Sequence, residues 1–453
     1  MSSQLVIPIL IVAGAGCAIP NQSQQASLDA YAAVRFEPRT RDDDSGLEAL
    51  LAERELELAP LIEAVLARNP SVDRARQAWR AALAVEPQAT TFADPTIGVS
   101  VAPLSVIDPD VRIGFGVELK QPLPYPGKRR LRGEVAAAEA EAAQEEYAAL
   151  RQRLALMTAQ LYWDYELAEQ ALEINGEHIT LLGEYGKTVS DYLDVGRARQ
   201  DEALEVDQEL AELHRDRATL EANRDLVVAR LDALLHRLPQ APLPAPPKAS
   251  VPPGFDASRE SLQRAALAAR PELRAADHRI DGAGATIELA RRDYYPDLTV
   301  MGSYSRMWPM LAHQFMVGIS IPLPLQRGRR DAAVDAARAH VAQRRADRDE
   351  IADQVLLDVE RAYRRLGEAD QAVKLYREQV LPAARDRVAA IRIGLDAGRA
   401  SFLEVIRAER ALRAARLRYQ IALADAHRRR AELDWAVGRL PSAADAPAHG
   451  GRR

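Results

Sequence analysis

With 453 residues, a formal net charge of −6 and 28% charged side chains, the chain is long enough for two or three ordinary domains and too weakly charged to point to nucleic acid as a partner. Aromatic residues make up only 5%, and long tracts are dominated by Ala, Leu, Glu and Arg, the composition of long helices and coiled coils. The single cysteine, Cys17, excludes an internal disulfide framework, and the eight histidines fall in no zinc-binding spacing.

The chain opens with an apolar run, Leu5 to Val12, followed by Ala13-Gly14-Ala15-Gly16-Cys17. The run is too short for a permanent membrane helix and reads as a secretory leader over residues 1–17. A cysteine directly after small residues is the arrangement of bacterial lipoprotein signals, which makes Cys17 the expected site of lipid attachment. No Lys or Arg precedes the run, and Gly14 stands where such signals usually carry Leu. Residues 18–57 read as a polar, extended N-terminal segment. No later stretch reaches the roughly 18 consecutive apolar residues that a transmembrane helix needs.

The rest of the chain is written twice. Leu66-Ala67-Arg68-Asn69-Pro70 recurs as Leu267-Ala268-Ala269-Arg270-Pro271, an offset of 201. Gln121-Pro122-Leu123-Pro124 recurs as Ile321-Pro322-Leu323-Pro324, Tyr162 and Ala171 as Tyr363 and Ala372, and Asp194-Val195-Gly196-Arg197-Ala198 as Asp396-Ala397-Gly398-Arg399-Ala400, the last at an offset of 202. The landmarks keep their order with almost no drift, which marks a duplication. The copies occupy residues 58–238 and 257–438. Between them, residues 239–256 hold prolines at 239, 242, 244, 246, 247, 252 and 253, a composition that forbids helix and makes an extended linker. Residues 439–453 read as a disordered tail.

Each copy begins with a helix, over 58–92 and 257–294, that stops at Asp94-Pro95 and Tyr295-Pro296. Two alternating segments follow. Ile97, Val99 and Val101, then Ile113, Phe115, Val117 and Leu119, alternate with small or polar residues; Leu298 to Tyr304 and Phe315 to Ile321 do the same in the second copy. Period-2 patterning predicts strands with one apolar and one polar face. No proline then occurs from Lys128 to Leu238, and only Pro382, which should kink its helix, interrupts Gly328 to Leu440. Val206, Leu213, Leu220, Val227 and Leu234, and likewise Val405, Leu412, Tyr419, Ala426 and Leu433, recur every seven residues, the mark of a left-handed coiled-coil seam. Breaks at Gly196 and Gly398 turn each tract into an antiparallel hairpin. The expected fold is mainly α with a small β part: long antiparallel coiled-coil hairpins plus four strands per chain.

Four strands cannot close a membrane barrel, and an open sheet edge cannot exist in lipid. Either the strands form a soluble sheet or several chains pool them. Three chains would supply twelve strands and gather the hairpins into a hollow cylinder, whereas two would close a barrel too narrow for an open duct.

Pro122-Leu123-Pro124-Tyr125-Pro126-Gly127-Lys128-Arg129, and the run from Val380-Leu381-Pro382 through Gly394-Leu395-Asp396-Ala397-Gly398-Arg399-Ala400-Ser401-Phe402-Leu403-Glu404-Val405-Ile406-Arg407-Ala408-Glu409-Arg410, resemble the TolC family of outer-membrane efflux proteins. The resemblance covers roughly residues 55–438. It implies a homotrimeric channel-tunnel with a twelve-stranded outer-membrane β-barrel and a periplasmic α-helical barrel in a Gram-negative bacterium. Such a duct docks onto a periplasmic adaptor and an inner-membrane pump, here of the resistance-nodulation-division type. The Tyr-Pro-Gly-Lys-Arg wording is similar to the branch serving heavy-metal cation pumps. Drug efflux, a type I protein secretion duct and a non-pore periplasmic coiled-coil scaffold are the alternatives.

Carried over to this chain, the resemblance places periplasmic gate residues at Asp201, Glu202 and Glu404, with Arg407 where the family has a second acid. An Arg407 bridge to Asp201 or Glu202 of a neighbouring hairpin is the expected lock. The adaptor would dock at the hairpin tips: Gly196, Arg197, Gly398, Arg399 and Ser401. Met307, Met310 and His313, near Met301 and Met316, could contact a soft metal ion at the channel mouth or simply pack a strand end. No Gly-rich phosphate loop, activated nucleophile or metal triad is present, so neither catalysis nor a cofactor is expected.

Overall fold

The computed structural model describes residues 25, 45–102, 114–194, 198–252, 257–306 and 313–441. Cys17, Gly196, Arg197, Met307 and Met310 lie outside the described residues. The chain divides into two compact units, each fed by both copies: Gln77–Gln144 with Arg274–Asp349 in one, and Glu37–Arg76, Glu145–Leu273 and Glu350–Arg453 in the other.

The described elements run α1 Ser45–Ala52, α2 Leu58–Arg68, α3 Pro70–Leu83, α4 Val85–Thr90, β1 Thr96–Ala102, β2 Gly114–Leu123, α5 Lys128–Asp194 and α6 Gln200–Leu234 through the first copy. The second repeats the order with α7 Arg259–Ala269, α8 Pro271–Arg292, β3 Leu298–Arg306, β4 Gln314–Ser320, α9 Arg327–Leu375, α10 Leu381–Asp396 and α11 Phe402–Ala436. At 67 residues and 1.5 Å per residue, α5 is about 100 Å long.

Three elements depart from the sequence reading. Within the segment read as extended, Ser45–Ala52 is helical and buries Leu47 and Leu50 beside Leu56 and Leu61. The first helix of each copy is broken: 58–92 is three helices and 257–294 is two. The breaks fall at Asn69 (φ −67°, ψ 124°) and Arg270 (φ −67°, ψ 121°), each before a proline whose ring excludes helical ψ from its predecessor. Side-chain contacts, most of them from distant residues, hold both breaks. Asn69 Oδ1 accepts from Ser71 N at 2.9 Å and its Nδ2 donates to Leu234 O at 3.0 Å, while the Arg270 guanidinium sits 4.1 Å over the Trp435 ring. A further break at Ala84 comes three residues before Pro87.

The third departure is at Pro382. The helix meets the missing N–H with a π-helical turn over Tyr376–Val380, where Leu381 N–H reaches back to Tyr376 O. Such a turn holds one more residue than an α-turn. The buried positions show it: Leu366 and Val373 are seven apart, the next, Leu381, comes after eight, and Val388 resumes the seven. The offset between the copies grows from 201 to 202 across the same stretch, between Ala171/Ala372 and Asp194/Asp396. The second copy is therefore one residue longer across this stretch, and the π-turn accommodates the difference.

The four strands form one antiparallel sheet in the order β1-β2-β3-β4. The copies join at β2–β3, with Gly116 opposite Ser305 and Leu119 opposite Gly302. Beyond that seam the Tyr125 and Tyr295 rings stack at 4.7 Å, and Tyr125 N donates to Asp297 Oδ1 at 2.8 Å. Residues 241–252 contain neither helix nor strand and run against the second unit's helices. Ala245 O accepts from Leu56 N at 3.0 Å, Leu243 O from Tyr165 Oη at 3.3 Å, and Ala249 N donates to the buried Glu166 carboxylate at 3.0 Å. Burial raises that carboxyl above its ordinary range.

Candidate functional site

Two regions carry chemistry that a globular core does not need. The first is the sheet. Register sorts its residues into two faces. Ile97, Leu119, Gly302 and Val317 share one row, and Val99, Val117, Tyr304 and Phe315 the next. The opposite face carries Ser100, Gly116, Ser305 and Gln314, then Gly98, Glu118, Ser303 and Met316, then Thr96, Lys120, Met301 and Gly318. Lys120 and Glu118 pair on it at 2.7 Å. The apolar face is uncovered: Ile97 is 68% exposed, Val99 71%, Phe315 70% and Val317 86%. A contiguous apolar surface of this kind marks contact with lipid or protein. Among the described residues the outer strands β1 and β4 pair with no further strand, and an open edge is a template for additional strands. Among the described residues no helix is long and apolar enough to cross a membrane.

His313 sits at the start of β4 with Nδ1 2.7 Å from Tyr304 Oη. Met301 and Met316 lie on the polar face, and Met301 Sδ would be 3.4 Å from a Cβ placed at Gly318.

The second region is the pair of hairpin tips. In the second copy Gly398 takes φ +66°, a left-handed conformation that glycine adopts without strain. Arg399 N and Ala400 N both donate to Gly394 O, at 2.8 and 3.1 Å, closing the end of α10. Ser401 then caps α11 reciprocally: its Oγ accepts from Glu404 N at 3.3 Å, and the Glu404 carboxylate accepts from Ser401 N at 2.9 Å. In the first copy Glu202 accepts from Arg199 N at 3.1 Å in the same geometry, and Arg199 Nε holds Asp201 at 2.9 Å. Three predicted gate acids are thus engaged within their own tips. Arg407 is exposed and forms no ion pair among the described residues. Arg399 is likewise exposed, donating through its backbone.

Phe402 ties the tips together. It is buried among Leu182, Val189, Val206, Leu213 and Ile406, with the Tyr192 ring centroid 5.7 Å away. Phe402→Ala should destabilise this end by about 3–5 kcal/mol, as large-to-small changes at buried aromatics do. Hydrogen exchange at the tips is the measurement, with faster exchange confined to residues near 182–213 and 395–410 the expected result.

One turn beyond Arg407 the sequence reading missed a ladder of ion pairs between the copies. Arg410 engages Glu209 and lies 3.7 Å from Glu205, Arg413 reaches Asp216 at 3.3 Å, and Arg416 reaches Glu177 at 2.6 Å. Arg392 engages Glu409 beneath the Tyr185 ring. Glu209 and Glu409 are only 2% and 4% exposed. A signal for Glu209 was present: it lies three residues after Val206, a core slot of the heptad where an acid needs a partner.

His178 is buried against the same ladder. Burial first, and then the guanidinium groups of Arg413, Arg416 and Arg410, push its imidazole down to about 4. The native state therefore holds it neutral while the unfolded chain protonates near the ordinary value of about 6.5. Stability is full above that value and falls as the pH drops from about 6.5 towards 4, by about 3 kcal/mol in total. Thermal melts across that window should show the loss, and His178→Asn should flatten it.

Residues 262–439, in the second copy, match the family described as Outer membrane efflux protein. Among curated proteins, the cobalt-zinc-cadmium resistance protein CzcC of Cupriavidus metallidurans is 24% identical over 339 residues, covering 71% of this chain and 76% of CzcC. Among solved structures, CusC superposes with a TM-score of 0.73 at 18% identity over 88% of this chain and 96% of CusC. The outer membrane protein VceC of Vibrio cholerae does so with a TM-score of 0.70 at 18% identity over 85% and 97%. The fold is that of these outer-membrane channel proteins.

Proposed function

We propose that the chain is one subunit of an outer-membrane efflux duct. The observation that carries this is the sheet: four antiparallel strands with one uncovered apolar face, one polar face and two open edges. Three copies side by side would close a twelve-stranded barrel with the apolar face in lipid and the polar face lining the bore. The hairpins would then form the periplasmic wall, with an adaptor at the tips carrying Gly398, Arg399 and Ser401 and with Gly196 and Arg197 at the other tip. An inner-membrane pump would supply the energy, and this chain would do no chemistry. The lipid on Cys17 would anchor it further. Similarity to CzcC favours divalent cations such as cobalt, zinc and cadmium as cargo.

Within this reading the gate residues lie near the tips. Glu202 and Glu404 hold the helix ends in shape, Asp201 and Arg407 face solvent, and Arg410 with Glu209 locks the first hairpin to the second. Deleting the gene and testing susceptibility across metals and drugs decides the cargo. Sensitisation to cobalt, zinc or cadmium alone supports cation efflux, and sensitisation to drugs alone overturns that part. A trimer in detergent with single-channel conductance tests the duct itself.

A further inference from the structure

We infer that the helix-side rim of the sheet is a docking collar for the headgroups of anionic phospholipids. The inference rests on the proposed membrane insertion of the sheet and adds a lipid preference to it. The apolar stripe of β4 does not stop with the strand. Phe315, Val317 and Ile319 are continued at the same spacing by Ile321, Leu323 and Leu325, of which Leu323 and Leu325 are 73% and 81% exposed. Immediately after it comes Arg327-Gly328-Arg329-Arg330. The first copy repeats the pattern: Leu119 and Leu123 lead through Tyr125 to Lys128-Arg129-Arg130-Leu131-Arg132. Residues 124–133 and 321–330 together hold seven basic residues and no acid, in a chain of net charge −6.

Of the seven, only Lys128 and Arg130 form ion pairs among the described residues. Lys128 is buried between Asp293 and Asp297, at 3.1 and 3.0 Å, and Arg130 pairs with Glu134. Arg129 donates to Thr90 O and lies 3.5 Å over the Phe92 ring, Arg292 donates to Pro126 O, and Arg330 donates to Asp293 O and Gln326 O. Among the described residues none of Arg129, Arg132, Arg292, Arg327, Arg329 and Arg330 forms an ion pair with a carboxylate. Moreover, both basic runs open helices, α5 and α9, where the helix dipole disfavours cations. An anion at the rim would satisfy the guanidinium groups and the helix ends together. An abrupt change from exposed apolar side chains to arginine, with the stacked Tyr125 and Tyr295 between, matches the depth profile of a bilayer: acyl chain, interface, phosphate. The occupant is thus a phosphate carried on an acyl chain that lies along the stripe, not a free anion.

The test uses the full-length protein purified in a non-ionic detergent, with phosphatidylglycerol or phosphatidylcholine added back and bound lipid counted by native mass spectrometry. The wild type should retain phosphatidylglycerol preferentially, and Arg327→Gln/Arg329→Gln/Arg330→Gln should lose about fivefold in that preference per arginine removed. Equal retention of the two lipids, an unchanged preference in the variant, or displacement of the lipid by millimolar inorganic phosphate would overturn the collar. Conductance in bilayers of phosphatidylcholine alone separates this from the duct reading. A conducting protein without lipid preference sinks the collar and leaves the duct, whereas no conductance in bilayers of phosphatidylcholine or of phosphatidylglycerol sinks both.

Discussion

Val317→Arg should keep the chain out of the outer membrane. Val317 is the most exposed apolar residue of the sheet, in a row with Ile97 and Leu119, so a guanidinium there would face acyl chains in the assembled barrel. An arginine at the bilayer midplane costs about 2–4 kcal/mol, and a trimer meets that cost three times. Membrane fractionation and heat-modifiable mobility should both show the loss. Ser303→Arg, on the polar face of the neighbouring strand, should insert normally and narrow the bore. If both variants insert equally well, the apolar face is covered by something other than lipid.

Arg410→Ala should be the most permissive single change at the tips. It leaves the Glu209 carboxylate, 2% exposed, without its main partner. The cost is about 2–3 kcal/mol, below the usual range for buried pairs because the guanidinium itself is half-exposed. With the copies unlocked, single-channel conductance and leakage of large antibiotics should rise. Arg407→Ala should change neither. Glu209→Gln combined with Arg410→Ala should recover part of the lost stability, since the amide is cheaper to bury than a lone carboxylate. The opposite ranking, Arg407 above Arg410, would restore the lock expected from the sequence.

The strands were legible because period-2 alternation is a strong signal, and Val99, Val117 and Val317 stand on one face as read. The hairpins were legible from sevens and from prolines kept to the ends. The proline breaks at Asn69 and Arg270 were in plain view as repeat landmarks, yet a single helix was expected over each stretch. Tertiary contacts, Asn69 with Leu234 and Arg270 with Trp435, are what hold those breaks in place, and no local pattern shows them. The tip was half legible. Ser401-x-x-Glu404 is a capping-box spelling, and the family resemblance drew attention to the acid's charge instead of its backbone partner. The Arg410 ladder lay hidden because it joins residues from different copies, and its pairing depends on how four helices settle against one another.

The π-turn has a consequence for how the two copies could diverge. Duplicated halves that meet at shared tips cannot change length freely, since one added residue rotates everything downstream by about 100°. Here the one-residue difference is confined to Tyr376–Val380, and by Val388 the buried positions again fall seven apart. The Ser401–Glu404 cap and the Phe402 anchor still arrive where the first copy's Leu182 and Val206 wait for them. Removing one residue from that turn should therefore damage the tip, over twenty residues away, more than the turn itself. The one-residue difference in length between the copies is thus taken up by a local change in helix type, and the two halves remain matched where they meet.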